Sequence, residues 1–276
     1  MITISAFADE IAPDLRTQMD TCRANGITHI DVRAIDGKNV SQMTPAKARR
    51  YRRQMDAEGF SVPCLGSPVG KIRLDEDFQS HLELLKRCCD LAAEFGTSHI
   101  RVFSFYPSPG RNIADERPAV LDRLQAMVRL AEQANVTLLH ENEKGIYGAT
   151  PAGVLDIFRT VRSPHLECLF DPANFVEEGF APYDEAWRAG LDELTTYIHI
   201  KDKVPGSAVC VPAGQGRGQI PEIFTDLRGR GWSGVMTLEP HLQAAGRMDG
   251  FTGPDLFTQA AGALKKLCEH MGLTYR

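Results

Sequence analysis

Long hydrophobic runs are missing from this 276-residue sequence. No stretch approaches the roughly 20 consecutive apolar residues that a membrane-spanning helix requires, so no membrane partner is expected. Cysteine occurs at positions 22, 64, 88, 89, 168, 210 and 268, an odd number with no C-x-x-C pair. That spacing argues against a disulfide framework and a cysteine-ligated zinc site. An excess of basic charge is also absent: 31 Lys and Arg face 36 Asp and Glu, for a formal net charge of −5. Such a surface gives nucleic acid no electrostatic footing, although a local cluster of bases can still line a pocket for a small anion. Met1-Ile2-Thr3-Ile4-Ser5 has no basic region followed by an apolar one, so no signal peptide is expected and a cytoplasmic location is the default. No linker, charge block or low-complexity tract divides the chain, and one domain over 1–276 is expected.

What is present is alternation. Eight short β-branched or apolar segments read as strands: Ile2–Phe7, Thr28–Arg33, Ser61–Gly66, Ser98–Phe103, Val136–Glu141, Leu166–Asp171, Thr196–Lys201 and Gly234–Glu239. Between them lie helical stretches, among them Pro13–Ala24, a helix opened by Thr44-Pro45, Phe78–Phe95, Ala114–Ala134, Thr150–Val161, Pro182–Leu191, Pro221–Arg230 and Pro254–Met271. Gly26, Gly59, Gly96 and Gly231 stand where helix C-caps belong. Eight βα units with mostly apolar strands imply a parallel sheet closed into a (β/α)8 TIM barrel. An open dinucleotide-binding sheet would need a G-x-G-x-x-G turn after the first strand, where this chain has Phe7-Ala8-Asp9-Glu10.

In such a barrel the chemistry lies at the C-terminal ends of the strands. Four consecutive strands deliver Glu141, Asp171, His199 and Glu239 to that end. Carboxylates converging there would repel one another, and a divalent cation turns the repulsion into mutual support. Three carboxylates and one imidazole suit Mn2+, Mg2+, Co2+ or Zn2+ alike.

The runs His140-Glu141-Asn142-Glu143, Phe170-Asp171-Pro172-Ala173-Asn174, Ile198-His199-Ile200-Lys201-Asp202 and Leu238-Glu239-Pro240 resemble the xylose isomerase-like TIM barrels, within them the sugar phosphate isomerase/epimerase group. The resemblance covers nearly the whole chain. It implies a metal held by Glu141, Asp171, His199 and Glu239, with Glu141 and Glu239 also serving as the acid/base pair, and a small carbohydrate as substrate. It leaves a homo-oligomer open. Many members carry His three residues after the Asp; Asn174 stands there in this chain and cannot shuttle a proton. The expected activity is isomerisation or epimerisation of a ketose, keto-polyol or sugar phosphate through an enediolate. An inosose-type dehydratase would use the same site. A non-catalytic sugar-binding protein and an endonuclease IV-like nuclease rank behind both, since the latter's three-zinc site needs extra ligands absent from this sequence.

Further candidates for contacting substrate are Arg33, Lys71, Arg101, Asn174, Lys201 and His241, with Lys201 and His241 also placed to orient ligands. Phe7, Phe103 and Phe105 could wall a sugar face, and the glycine-rich Gly214–Gly218 stretch reads as a mobile loop that could act as a lid.

Overall fold

A computed structural model describes residues 1–243 and 251–276. Seven parallel strands form one curled sheet. Around the ring they run His29–Ile30, Thr3–Ala6, Val235–Leu238, Thr195–Ile200, Leu166–Phe170, Thr137–Glu141 and His99–Val102. The side chains facing the helices are almost all apolar and buried, as expected of a parallel sheet covered on its outer face.

The expected third strand, Ser61–Gly66, is not a regular strand. It closes the ring through isolated bridges, His29 with Ser61, Val32 with Leu65 and Leu65 with Ile100. Pro63 explains the interruption, since it has no N–H to give a ladder. Its neighbours still pair: Val32 N donates to Cys64 O at 3.0 Å and Arg101 N to Leu65 O at 2.9 Å.

The helices begin where their caps dictate. Asp14, Thr44, Asp77 and Thr150 each accept a backbone N–H of the first turn, fixing the starts of Leu15–Ala24, Pro45–Ala57, Phe78–Phe95 and Pro151–Thr160. The Pro182–Leu191 segment is a wide π-type helix with Gly190 at φ +117° inside it, not the regular helix expected. Other elements were not anticipated, two of them beside the site. A short helix, Pro172–Glu177, follows Asp171 directly. A small hairpin pairs Asp202–Lys203 with Cys210–Val211 beside the barrel mouth.

The glycine stretch read as a mobile lid is fastened instead. Asp202 accepts the N–H groups of Gly214, Gly216 and Gly218 at 2.8–2.9 Å. A Cβ on Gly216 would lie 2.3 Å from Asp202 Oδ1, so glycine lets the loop wrap this closely around the carboxylate. No helix among the described residues is long and apolar enough to cross a membrane.

Candidate metal centre

Glu141 ends its strand, Asp171 and Glu239 each follow a strand by one residue, and His199 lies one residue from the end of Thr195–Ile200. One ligand-type atom from each of the four falls within 4.8 Å of the others, and all four residues are buried. His199 Nδ1 lies 3.0 Å from Glu141 Oε1 and 3.1 Å from Glu239 Oε2, so both glutamates converge on one ring nitrogen.

Local structure aims each group. Asp171 caps the short helix: its Oδ1 accepts Asn174 N at 3.1 Å, which leaves Oδ2 for the cluster. Asn142 holds the Asp171 backbone at both ends, donating to its carbonyl and accepting its N–H. Asn174 Nδ2 donates to Asn142 O at 2.8 Å and reaches Glu141 Oε1 at 3.4 Å, a supporting place with no proton to shuttle. The Phe7 ring packs edge-on against His199 with centroids 5.0 Å apart.

Three buried bases answer the carboxylates. Arg101 Nη1 lies 3.2 Å from Glu141 Oε2, Lys201 Nζ 2.8 Å from Asp171 Oδ2, and Arg33 Nη1 2.9 Å from Glu239 Oε1. Arg33 also binds Asp9 at 2.8 Å and approaches Glu10. Both guanidinium groups lie over the Phe7 ring, at 4.7 and 5.0 Å. These bases therefore sit in buried ion pairs rather than surface salt bridges. His241 is more peripheral, with Nε2 at 3.3 Å from both Glu239 Oε1 and Glu10 Oε1. Its backbone is left-handed at φ +46°, and Glu10 holds it there by accepting the His241 N–H at 2.9 Å. Lys71 stands apart at the rim, paired with Glu143 at 2.9 Å above the Phe103 ring. Of the expected aromatic wall, Phe105 lies elsewhere, packed on Phe78 and His81 of the outer helix layer.

Asp9, Glu10 and Asn142 were given no role from the sequence. Their position directly after strand ends was the available signal.

The electrostatics follow from this packing. Burial opposes ionisation of Glu141 and Glu239. For Glu141, His199 and Arg101 outweigh it; for Glu239, Lys201 and then the two histidines do. Both carboxyls are thereby held well below the ordinary range. Burial likewise opposes the His199 imidazolium, but the two glutamates hold it up at about 9. Asp171 is the exception: desolvation pushes it up to about 6 against the pull of Lys201.

These residues fit a divalent cation. Asp9, Glu10, Glu141, Asp171 and Glu239 outnumber Arg33, Arg101 and Lys201 by two charges when the histidines are neutral. Glu141 Oε2, Asp171 Oδ2 and Glu239 Oε2 are buried without a hydrogen bond, met only by ion-pair contacts that lack its geometry. Mixed oxygen and imidazole donors match hard or borderline divalent ions.

The family model described as xylose isomerase-like TIM barrel matches residues 19–267. The chain belongs to this family. Solved structures agree in fold across almost the whole xylose isomerase-like barrel. The probable 3-DHS dehydratase AsbF from Bacillus anthracis superposes with a TM-score of 0.75 at 18% identity, covering 96% of this chain and 99% of that one. A D-tagatose 3-epimerase-like protein gives 0.78 at 14% identity, covering 98% of each chain. A xylose isomerase-like TIM barrel protein from Mycobacterium smegmatis, in complex with magnesium, gives 0.72 at 15% identity, covering 98% and 97%. No curated protein matches the chain.

Proposed function

We propose that this chain is a divalent-metal-dependent isomerase or epimerase that moves a carbon-bound proton beside a carbonyl of a ketose, keto-polyol or sugar phosphate. The observation that carries the reading is a pair of buried glutamates, Glu141 and Glu239, converging on one imidazole nitrogen at 3.0 and 3.1 Å.

Glu141, Asp171, His199 and Glu239 would hold the cation, which supplies Lewis-acid polarisation of the carbonyl and charge stabilisation for an enediolate. The chain's own groups do the rest. One glutamate takes the carbon-bound proton and the other returns one, which gives inversion when they face opposite sides of the carbon. Each glutamate is fixed by its own arginine, Arg101 for Glu141 and Arg33 for Glu239, so neither swings away as its charge changes. Asn174 and Asn142 keep Glu141 and Asp171 in register without competing for the proton.

A second reading, dehydration, is favoured by Lys201. Its buried ammonium lies 2.8 Å from Asp171 and 3.6 Å from Glu239, where it can donate to a departing hydroxyl. Both readings begin with proton abstraction and part at the product.

The test is proton exchange in D2O with Mn2+ and a panel of ketoses, keto-polyols and their phosphates, read by NMR with an EDTA control. Metal-dependent deuterium beside a carbonyl is expected. The product separates epimer from dehydrated compound. Tight metal binding with no exchange on any compound would count against proton abstraction and favour a binding protein.

A further inference from the structure

Inside the barrel, Asp31 is 1% exposed. Its Oδ1 accepts from Ser5 Oγ at 2.7 Å, and its Oδ2 accepts from Tyr197 OH at 2.7 Å and Thr237 Oγ1 at 2.8 Å. Three hydroxyl donors on two oxygens are the pattern of a carboxylate. The acid form would need one of the three to turn round and accept. Yet among the described residues no Lys or Arg pairs with Asp31. Arg33, Arg101 and Lys201 are all directed to other carboxylates.

An unpaired buried carboxylate is costly, and it persists only where something offsets it. Desolvation prevails and raises the Asp31 carboxyl, although Tyr197, Ser5, Thr237 and then His199 pull against it, so it is the hydrogen-bond pattern that marks a carboxylate here. His199 is close for a structural reason. Ser5 is in register with Thr237, and Thr237 with His199, so two of the three donors share a row with a candidate ligand. The third, Tyr197, packs its ring edge-on to the His199 ring, with centroids 6.4 Å apart.

We infer that Asp31 is a positioning residue of the metal centre: a buried counter-charge, hydroxyl-locked beside the His199 row, that raises the site's affinity for a divalent cation. The inference rests on the metal-centre reading proposed above. Asp31 touches neither ion nor substrate. It acts through the low-dielectric barrel interior, where a fixed negative charge favours any cation gathered by the glutamates. It also acts through Tyr197 and Thr237, which flank His199.

The test measures Mn2+ affinity by calorimetry, with the melting temperature of the metal-free protein as a second readout. Asp31→Asn keeps the size, its oxygen accepting from Tyr197 and Thr237 while Ser5 turns round to accept from the amide. Outer partners of metal ligands typically cost 10–100-fold when removed, and Asp31→Asn is expected to weaken Mn2+ binding about ten-fold. The metal-free melting temperature should hold or rise, because an unpaired buried charge has gone. These opposite directions separate an electrostatic role from a purely structural one, which would lower stability. Tyr197→Phe removes one donor but keeps the ring, and should weaken binding in the same direction by less. It decides the matter should Asp31→Asn fail to fold. Wild-type Mn2+ affinity in the variant that folds, or weaker binding with lower metal-free stability in Asp31→Asn, would overturn the inference. A wild-type protein that binds no divalent cation would overturn the metal centre itself and the inference with it.

Discussion

Lys201→Met removes one of three buried bases while keeping most of the side-chain volume. The ammonium it deletes lies 2.8 Å from Asp171 and 3.6 Å from Glu239, and the residue is only 7% exposed. Breaking a buried ion pair from one side costs about 3–5 kcal/mol, because the remaining charge stays buried and unpaired. A chain of 276 residues unfolds with an entropy of about 0.58 kcal/mol/K near its midpoint, so the metal-free variant should melt about 5–9 °C below wild type. Asp171 already sits at about 6 with Lys201 holding it down, so deleting that base raises it further and proton uptake caps the loss; the comparison belongs at the highest pH the fold tolerates, where that relief is smallest. Saturating Mn2+ should then shrink the gap by at least half, since a cation gathered by the same carboxylates restores the missing positive charge. Calorimetric melts of both proteins in EDTA and in MnCl2 measure the gap directly. An equal gap in the two buffers would refute the reasoning, as would a Lys201→Met protein as stable as wild type in EDTA.

Glu239→Gln should leave the fold intact by circular dichroism while lowering turnover by about 10²–10⁴, the range for losing a general acid or base; wild-type turnover would remove Glu239 from the acid/base pair. Gly70→Ala should destabilise the protein severely, because the residue sits at φ +94° and a Cβ would lie 2.1 Å from Phe103 O; a melting temperature within a degree or two of wild type would contradict the packing. His81 Nε2 accepts Gly70 N at 2.6 Å, and burial first, then Arg123, pushes its imidazole down to about 4 from 6.5. The unfolded chain takes up a proton across that window that the fold refuses. Its contribution is therefore complete above pH 6.5 and falls as pH drops towards 4, by at most about 3 kcal/mol. Urea melts at pH 7 and pH 5 should show a smaller loss for His81→Gln than for wild type, and equal losses would remove His81 as the cause.

Much of the barrel could be read from the sequence because its signals are local. Alternation of apolar strands with capped helices, and glycines such as Gly96 at φ +71°, are properties of short windows. The convergence of Glu141, Asp171, His199 and Glu239 followed from register alone, since a parallel barrel brings equivalent strand ends to one rim. What escaped reading depends on partners distant in the chain. Asp31 draws its donors from Ser5, Tyr197 and Thr237, and no window contains them together. The glycine loop looked free because its anchor, Asp202, lies 12–16 residues upstream. Pro63 was visible, but how thinly the ring closes beside it depends on both neighbouring strands.

That thin closure has its own consequence. Between the Ser61–Gly66 segment and the His99–Val102 strand, two backbone ladder bonds carry the join, Leu65 N to His99 O and Arg101 N to Leu65 O. Ser67 Oγ, donating to Arg101 O at 2.5 Å, and the Arg101 guanidinium beside Gly66 O and Ser67 O stitch the same place. Arg101 is thus a rivet in the barrel wall as well as the partner of Glu141. A ligand that draws on Glu141 is therefore expected to change how readily the wall opens at this join. Amide exchange at Leu65 and Arg101 would register the ligand from outside the pocket.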